Sequence, residues 1–122
     1  MSRSRLSFVT AARTGWGGLL VAAPGRVFTT VAGRPATTRD RWMLRVLGTR
    51  HLAQAAITAT RPTPAVRVFG AAVDLLHAAT CAGAAAFLPR WRRPGLVDGV
   101  AAAGFALGYL PAPGKRSPAG TP

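Results

Sequence analysis

Acidic residues are almost missing from this chain. There is no glutamate, and only Asp40, Asp74 and Asp98 carry a carboxylate side chain. Cys81 is the single cysteine, which excludes an intrachain disulfide and leaves the redox compartment open. Serine occurs only towards the two ends, and Cys81 falls in an apolar stretch. No nucleophile–base pair, metal signature or phosphate-binding loop stands out. The chain is therefore expected not to be an enzyme and to carry no cofactor.

Aromatic residues make up 7% of the chain and charged residues 16%, the latter below the roughly 25% usual for soluble domains. What is abundant is Ala, Gly and Arg. Hydrophobic residues reach 49%, and sixteen Lys and Arg against three Asp give a formal charge of +13. At 122 residues the chain is one domain at most.

Two readings of the charge compete: a basic nucleic-acid surface, or arginines that set the topology of a membrane protein. Position favours the second. Arg26, Arg34, Arg39 and Arg41 lie between two apolar stretches, Arg61 and Arg67 flank the next gap, and Arg90, Arg92 and Arg93 fill the following one. A nucleic-acid partner is not expected, because the cations punctuate apolar segments instead of alternating with aromatics.

Four apolar segments follow. They run from about Leu6 to Ala23, Arg41 to Thr60, Ala65 to Leu88 and Gly95 to Leu110, with stops at Pro24-Gly25, Arg61-Pro62, Pro89 and Pro111. Thr38 or Asp40 is the expected cap of the second. A span needs ~20 mostly apolar residues. The third segment meets this best, and the first, broken by Arg13 and glycines, meets it least. In the second, a central Arg costs ~2.5–3.5 kcal/mol, which Leu44, Val46, Leu47, Leu52 and Ile57 together return only in about equal amount.

The N-terminal MSRSRLSFVTAARTGW has the composition of a transit peptide, but its continuity with the pattern downstream favours a retained first helix. Val27, Phe28 and Val31 form the edge of a short interfacial helix, or lie in an irregular loop. The expected fold is all-α: a small transmembrane bundle of four helices, or three, over residues 1–110, with a disordered Pro/Gly-rich tail at 111–122. The expected location is the cell membrane, multi-pass. The lipid bilayer is the main partner, with a homo-oligomer or a membrane-protein partner as further options.

The second and third segments should form an antiparallel hairpin, which puts Arg50, His51, Gln54, Asp74 and His77 at one depth. The plain reading is an Arg50–Asp74 ion pair that locks the hairpin. The functional alternative is a proton or substrate relay through Asp74, His51 and His77, as in a small proton-coupled carrier. Metal binding is not expected, because two His with no third ligand make a weak site. Asp98 is expected to serve the start of the last helix, near Arg92 and Arg93. Gly104 and Gly108 form a GxxxG for close helix packing. Trp42, Trp91 and Tyr109 fit an interfacial aromatic belt.

The runs AARTGWGGLLVAAP, RVLGTRHLAQ and AAVDLLHAAT resemble small actinobacterial-type integral membrane proteins of no assigned activity. The resemblance covers roughly Ala11 to Leu110, and Arg13, Arg45, Gly48, Arg50 and Asp74 match it. It implies a four-helix membrane bundle with no assigned activity, and the absence of catalytic machinery points to a non-enzymatic accessory or interaction protein. Small four-helix drug exporters are similar in size but use a carboxylate in the first helix, which is absent here. A soluble basic binding protein is the remaining hypothesis.

Overall fold

The computed structural model describes residues 2–111, so all of the 111–122 tail except Pro111 lies outside the described residues. The chain forms α1 (Arg3–Ala22), α2 (Pro24–Ala32), α3 (Thr38–Thr60), α4 (Pro64–Phe87), one 3-10 turn (Pro89–Trp91) and α5 (Arg92–Tyr109).

Proline and small polar residues punctuate these helices. Ala23 precedes Pro24, leaves helical geometry and ends α1, while Pro24 itself opens α2. The stop read at Pro24-Gly25 is thus also a start, and residues 24–32 are helical with Phe28 buried. Gly33 closes α2 at φ 69°, a left-handed position where only glycine is unstrained. The cap of α3 is Thr37, one residue before the expected position. Asp40 N–H donates to Thr37 Oγ1 at 3.1 Å and Thr37 N–H to Asp40 Oδ2 at 2.9 Å, a reciprocal capping box. Thr63 caps α4 ahead of Pro64, accepting from Val66 N–H at 3.2 Å.

The four-helix transmembrane bundle is corrected by these elements. The fold is all-α with five helices, and among the described residues only α4 is long and apolar enough to cross a membrane. The physical reason is charge and length. Helices α1 and α5 carry three charged residues each and α3 carries five, against two in α4, while α2 has only 9 residues. The multi-pass location in the cell membrane and the bilayer as main partner lose their basis with those spans. So does the aromatic belt. Tyr109 is buried, and Trp91 packs edge-on against Phe28 at 5.7 Å between ring centres.

Helix pairing also differs from the expected hairpin. The close pairs are α1 with α3 and α4 with α5, whereas α3 and α4 touch over a short stretch only. Small residues explain the choice. A Cβ on Gly17 would lie 2.9 Å from Gly48 O, and one on Gly95 would lie 2.9 Å from Cys81 O, so both pairs bring backbones together where no side chain intervenes. Two small groups of buried apolar residues anchor the core. One is Val9, Ala71, Ala106 and Tyr109; the other is Leu20, Phe28 and Leu44. Partly buried hydrophobics pack against them, Leu6, Phe105 and Leu110 on the first and Trp16, Leu47 and Trp91 among those on the second, while Phe8, Phe69, Leu76 and Phe87 remain on the outside.

Candidate functional site

Two buried polar centres occupy the middle of the bundle, joined by His51. The first is built on Asp74 of α4, which is fully buried. Arg13 of α1, also fully buried, grips it with both terminal nitrogens: Nη1 donates to Oδ1 at 3.1 Å and Nη2 to Oδ2. Two-point guanidinium–carboxylate geometry is the strongest form of such a pair. Arg50 adds a bond from Nη2 to Oδ1 at 3.1 Å from a side chain 27% exposed, and Gln54 Nε2 donates to Oδ2 at 3.4 Å and to Gly70 O at 3.1 Å. The Arg13 guanidinium lies 4.4 Å from the Phe105 ring centre and 5.0 Å from that of Tyr109, so aromatic faces replace water around the charge.

Arg13 Nη1 also reaches His51 Nδ1 at 3.2 Å. Arginine has donors only, so Nδ1 is the acceptor and the ring proton is assigned to Nε2. That nitrogen is buried without a hydrogen-bond partner, 3.7 Å from Asp98 Oδ1.

The second centre is Asp98. Its Oδ1 accepts from Trp16 Nε1 at 3.2 Å, and its Oδ2 meets His77 Nε2 and, at 3.8 Å, Cys81 Sγ. His77 and Cys81 lie one helical turn apart on α4, with Sγ 3.4 Å from Nε2. Burial pushes the Asp98 carboxyl up, but the imidazoles of His51 and His77 and the Trp16 indole outweigh it, and the group sits well below the usual carboxylate range. His77 is raised to about 9, first by its bond to Asp98, then by the Cys81 thiol, with burial opposing.

The Asp98 contribution to stability is present above its ordinary value near pH 4 and lost as pH falls through and below that. The His77 contribution is full below about pH 6.5 and lost as pH climbs through about 9. Melting temperature in chelator-treated buffer should therefore decline from pH 6.5 to 9, by an equivalent on the order of 1–3 kcal/mol after allowance for partial exposure. His77→Gln should flatten that limb. An equally steep limb in the variant would refute the assignment.

The grouping read from sequence is thus divided. Arg50, Gln54 and Asp74 come together. His51 touches them only through Arg13, and His77 belongs to Asp98. Asp98 does not engage Arg92 or Arg93; Arg92 Nε donates instead to Ala85 O at 3.2 Å. In sequence Arg13 reads only as a charge that breaks an apolar segment, with nothing to name its partner. The His77–Cys81 spacing was a usable signal for the second centre. Of the two packing glycines, Gly108 has a contact site, where a Cβ would lie 2.6 Å from Val9 Cγ2, and Gly104 has none within 4 Å.

A third buried carboxylate, Asp40, ties the loops. Burial raises its pKa, but bonds from Thr37 and Arg34 outweigh this and leave it lowered. Arg34 Nη1 donates at 3.1 Å while its guanidinium stacks 4.4 Å over Phe28.

Above the Asp98 centre lies a cavity of about 630 Å³ whose wall is almost wholly apolar, with Trp16, Leu20, Phe28, Met43, Leu47 and Leu88 among its lining. Arg39, Arg50, His77, Thr80, Cys81 and Asp98 supply its polar points.

Comparison with known proteins gives no relative: no family model, no curated protein and no solved structure matches the chain. The resemblance to four-helix membrane proteins is corrected accordingly, since neither a family match nor four membrane-length helices support it. The membrane accessory protein and the proton-coupled carrier fall with it. The carrier also required His51 and His77 to adjoin Asp74, and His77 sits on Asp98 instead.

Proposed function

We propose that this chain is a non-enzymatic binding protein for a small amphiphile with a long apolar body and one anionic group. The cavity carries the reading: its volume and apolar wall match those of small-molecule sites, which are mostly apolar with a few polar groups that fix orientation. Arg50 supports an anionic head. It lines the cavity with a side chain 27% exposed; its Nη2 bonds Asp74 and its Nη1 is buried without a partner.

One familiar catalytic arrangement is ruled out by geometry. A Cys–His–Asp relay needs the thiol on one ring nitrogen and the carboxylate on the other. Here Cys81 and Asp98 both meet His77 Nε2, so the ring cannot pass a proton from one to the other in that manner.

The test is binding of a fluorescent long-chain monocarboxylate by the purified chain, beside the matching alcohol. Saturable binding at one equivalent is expected, with the acid preferred. Arg50→Leu should weaken the acid about tenfold, or ~1.4 kcal/mol, and leave the alcohol unchanged. Ala84→Trp, which fills the cavity, should weaken both. Acid and alcohol binding equally to the wild type, or neither binding, would defeat the proposal.

A further inference from the structure

Three donors from two helices converge below the cavity: His77 Nε2, Cys81 Sγ and Asp98 Oδ2, all within 4.8 Å of one another. An ion pair needs one imidazole and one carboxylate, whereas here a thiol is added on the same side of both, 3.4 Å from the nitrogen and 3.8 Å from the oxygen. Ligands at ~2.3 Å for sulfur and ~2.0–2.2 Å for nitrogen and oxygen around a tetrahedral ion stand roughly 3.3–3.7 Å apart. Both edges that involve sulfur already lie close to that range. The third edge, now closed by the hydrogen bond between His77 and Asp98, must open. His77, with a side chain 24% exposed, has the freedom to do so.

The surroundings are arranged for a carboxylate ligand that binds through one oxygen. Oδ2 faces the donors, while Oδ1 accepts from the Trp16 indole at 3.2 Å. His51 Nε2 is fully buried, has no partner and is aimed at the same oxygen from 3.7 Å. Its proton, held on that side by the Arg13 bond to Nδ1, makes His51 a donor to the ligand and not a ligand itself. A short inward shift of Asp98 onto His51 would open the His77–Asp98 edge and satisfy the orphaned nitrogen together. Bonds of this kind from outside the coordination sphere orient ligands and tune affinity.

We propose that His77, Cys81 and Asp98 form a three-ligand site for a divalent transition ion of the zinc class, with the fourth position open towards the cavity. The mixed nitrogen, sulfur and oxygen set suits a borderline-soft ion better than calcium or magnesium, which take oxygen ligands. Binding replaces the protons on the thiol and imidazole with the metal, and those protons leave to solvent. The site stands independently of the amphiphile reading, because no cavity ligand takes part in it.

The experiment is titration of Co(II) into the chelator-stripped full chain, followed by absorbance. The expected result is a thiolate-to-cobalt charge-transfer band that saturates at one equivalent and is displaced by Zn(II). Cys81 is the sole thiol, so the band by itself assigns the sulfur ligand. Cys81→Ser should abolish the band and lower affinity at least tenfold with the helical circular dichroism retained. Trp16→Phe, which removes only the donor to Oδ1, should keep the band with about tenfold weaker binding. A wild-type chain that is folded but gives no band at one equivalent overturns the site. So does a band or an affinity that survives in folded His77→Ala. Either failure leaves the fluorescent-acid experiment unaffected, since that experiment contains no metal.

Discussion

Asp74→Ala is expected to lower the unfolding free energy by about 3–5 kcal/mol, because it strands the fully buried Arg13 guanidinium without its counter-charge. Against a typical total of about 5–15 kcal/mol, that loss leaves the protein marginal or unfolded at 37 °C. Arg50→Ala should cost far less, about 1 kcal/mol, because Arg50 is partly exposed and Asp74 keeps its two-point bond to Arg13. The contrast between the two variants identifies the principal partner. The double variant Arg13→Met with Asp74→Leu should recover most of the stability, since apolar replacement of both members of a buried pair is often neutral or better. Recovery of Asp74→Ala by Arg50→Ala, as a simple Arg50–Asp74 pair would require, is not expected. Urea unfolding followed by circular dichroism decides among these outcomes.

Arg13 also shows where sequence reading reached its limit. The proline stops at Pro24, Pro62, Pro89 and Pro111 placed the ends of α1, α3, α4 and α5 to within a few residues, because proline acts locally on the backbone. The start of α3 was misread by one position, since Thr37, Thr38 and Asp40 are all able to cap. Arg50, Gln54 and Asp74 were legible as a level because the short Arg61–Thr63 turn brings the ends of α3 and α4 together. Which helix supplies the main cation was not legible. That depends on α1 lying against α3, a pairing set by glycines far apart in sequence.

The membrane reading failed for a related reason. Runs of Ala, Gly and Leu of span length express a preference for an apolar solvent only if the arginines flank them. In the structure Arg13 sits at the centre of its helix and points inward to the carboxylate, while the outer faces carry Phe8, Phe69 and Leu76. A pattern of apolar runs does not record which face a single charge takes. Asp98 was misassigned for the opposite reason. Its nearest charges in sequence, Arg92 and Arg93, are on its own helix, but its partners come from α1, α3 and α4. The one local clue was His77 followed four residues later by Cys81, which puts two metal-competent donors on one face and asks for a third from a neighbour.

The second large effect is expected at Gly48. A Cβ there would stand 2.6 Å from Gly17 O, 2.8 Å from Leu20 Cβ and 2.9 Å from Val21 Cγ2. Two of these neighbours are a backbone carbonyl and a Cβ, which cannot swing aside, so α1 and α3 must separate. Alanine is better than glycine within a helix by about 1 kcal/mol, and overpacking costs about 1–3 kcal/mol or more. The forced separation also stretches the Arg13–His51 bond of 3.2 Å, which lies in the same α1–α3 interface. The net expectation for Gly48→Ala is a loss of about 2 kcal/mol, and for Gly48→Leu failure to form the α1–α3 pair. Gly104→Ala is the control: beyond its chain neighbours and its own helix backbone nothing lies within 4 Å of the new methyl, so only the helix preference remains, and stability should be unchanged or up to about 1 kcal/mol higher. Equal melting temperatures for Gly48→Ala and Gly104→Ala would show that the two helices do not approach at Gly48. In that case Arg13 would lose the support that holds it between Asp74 and His51, because the same backbone contact sets its position.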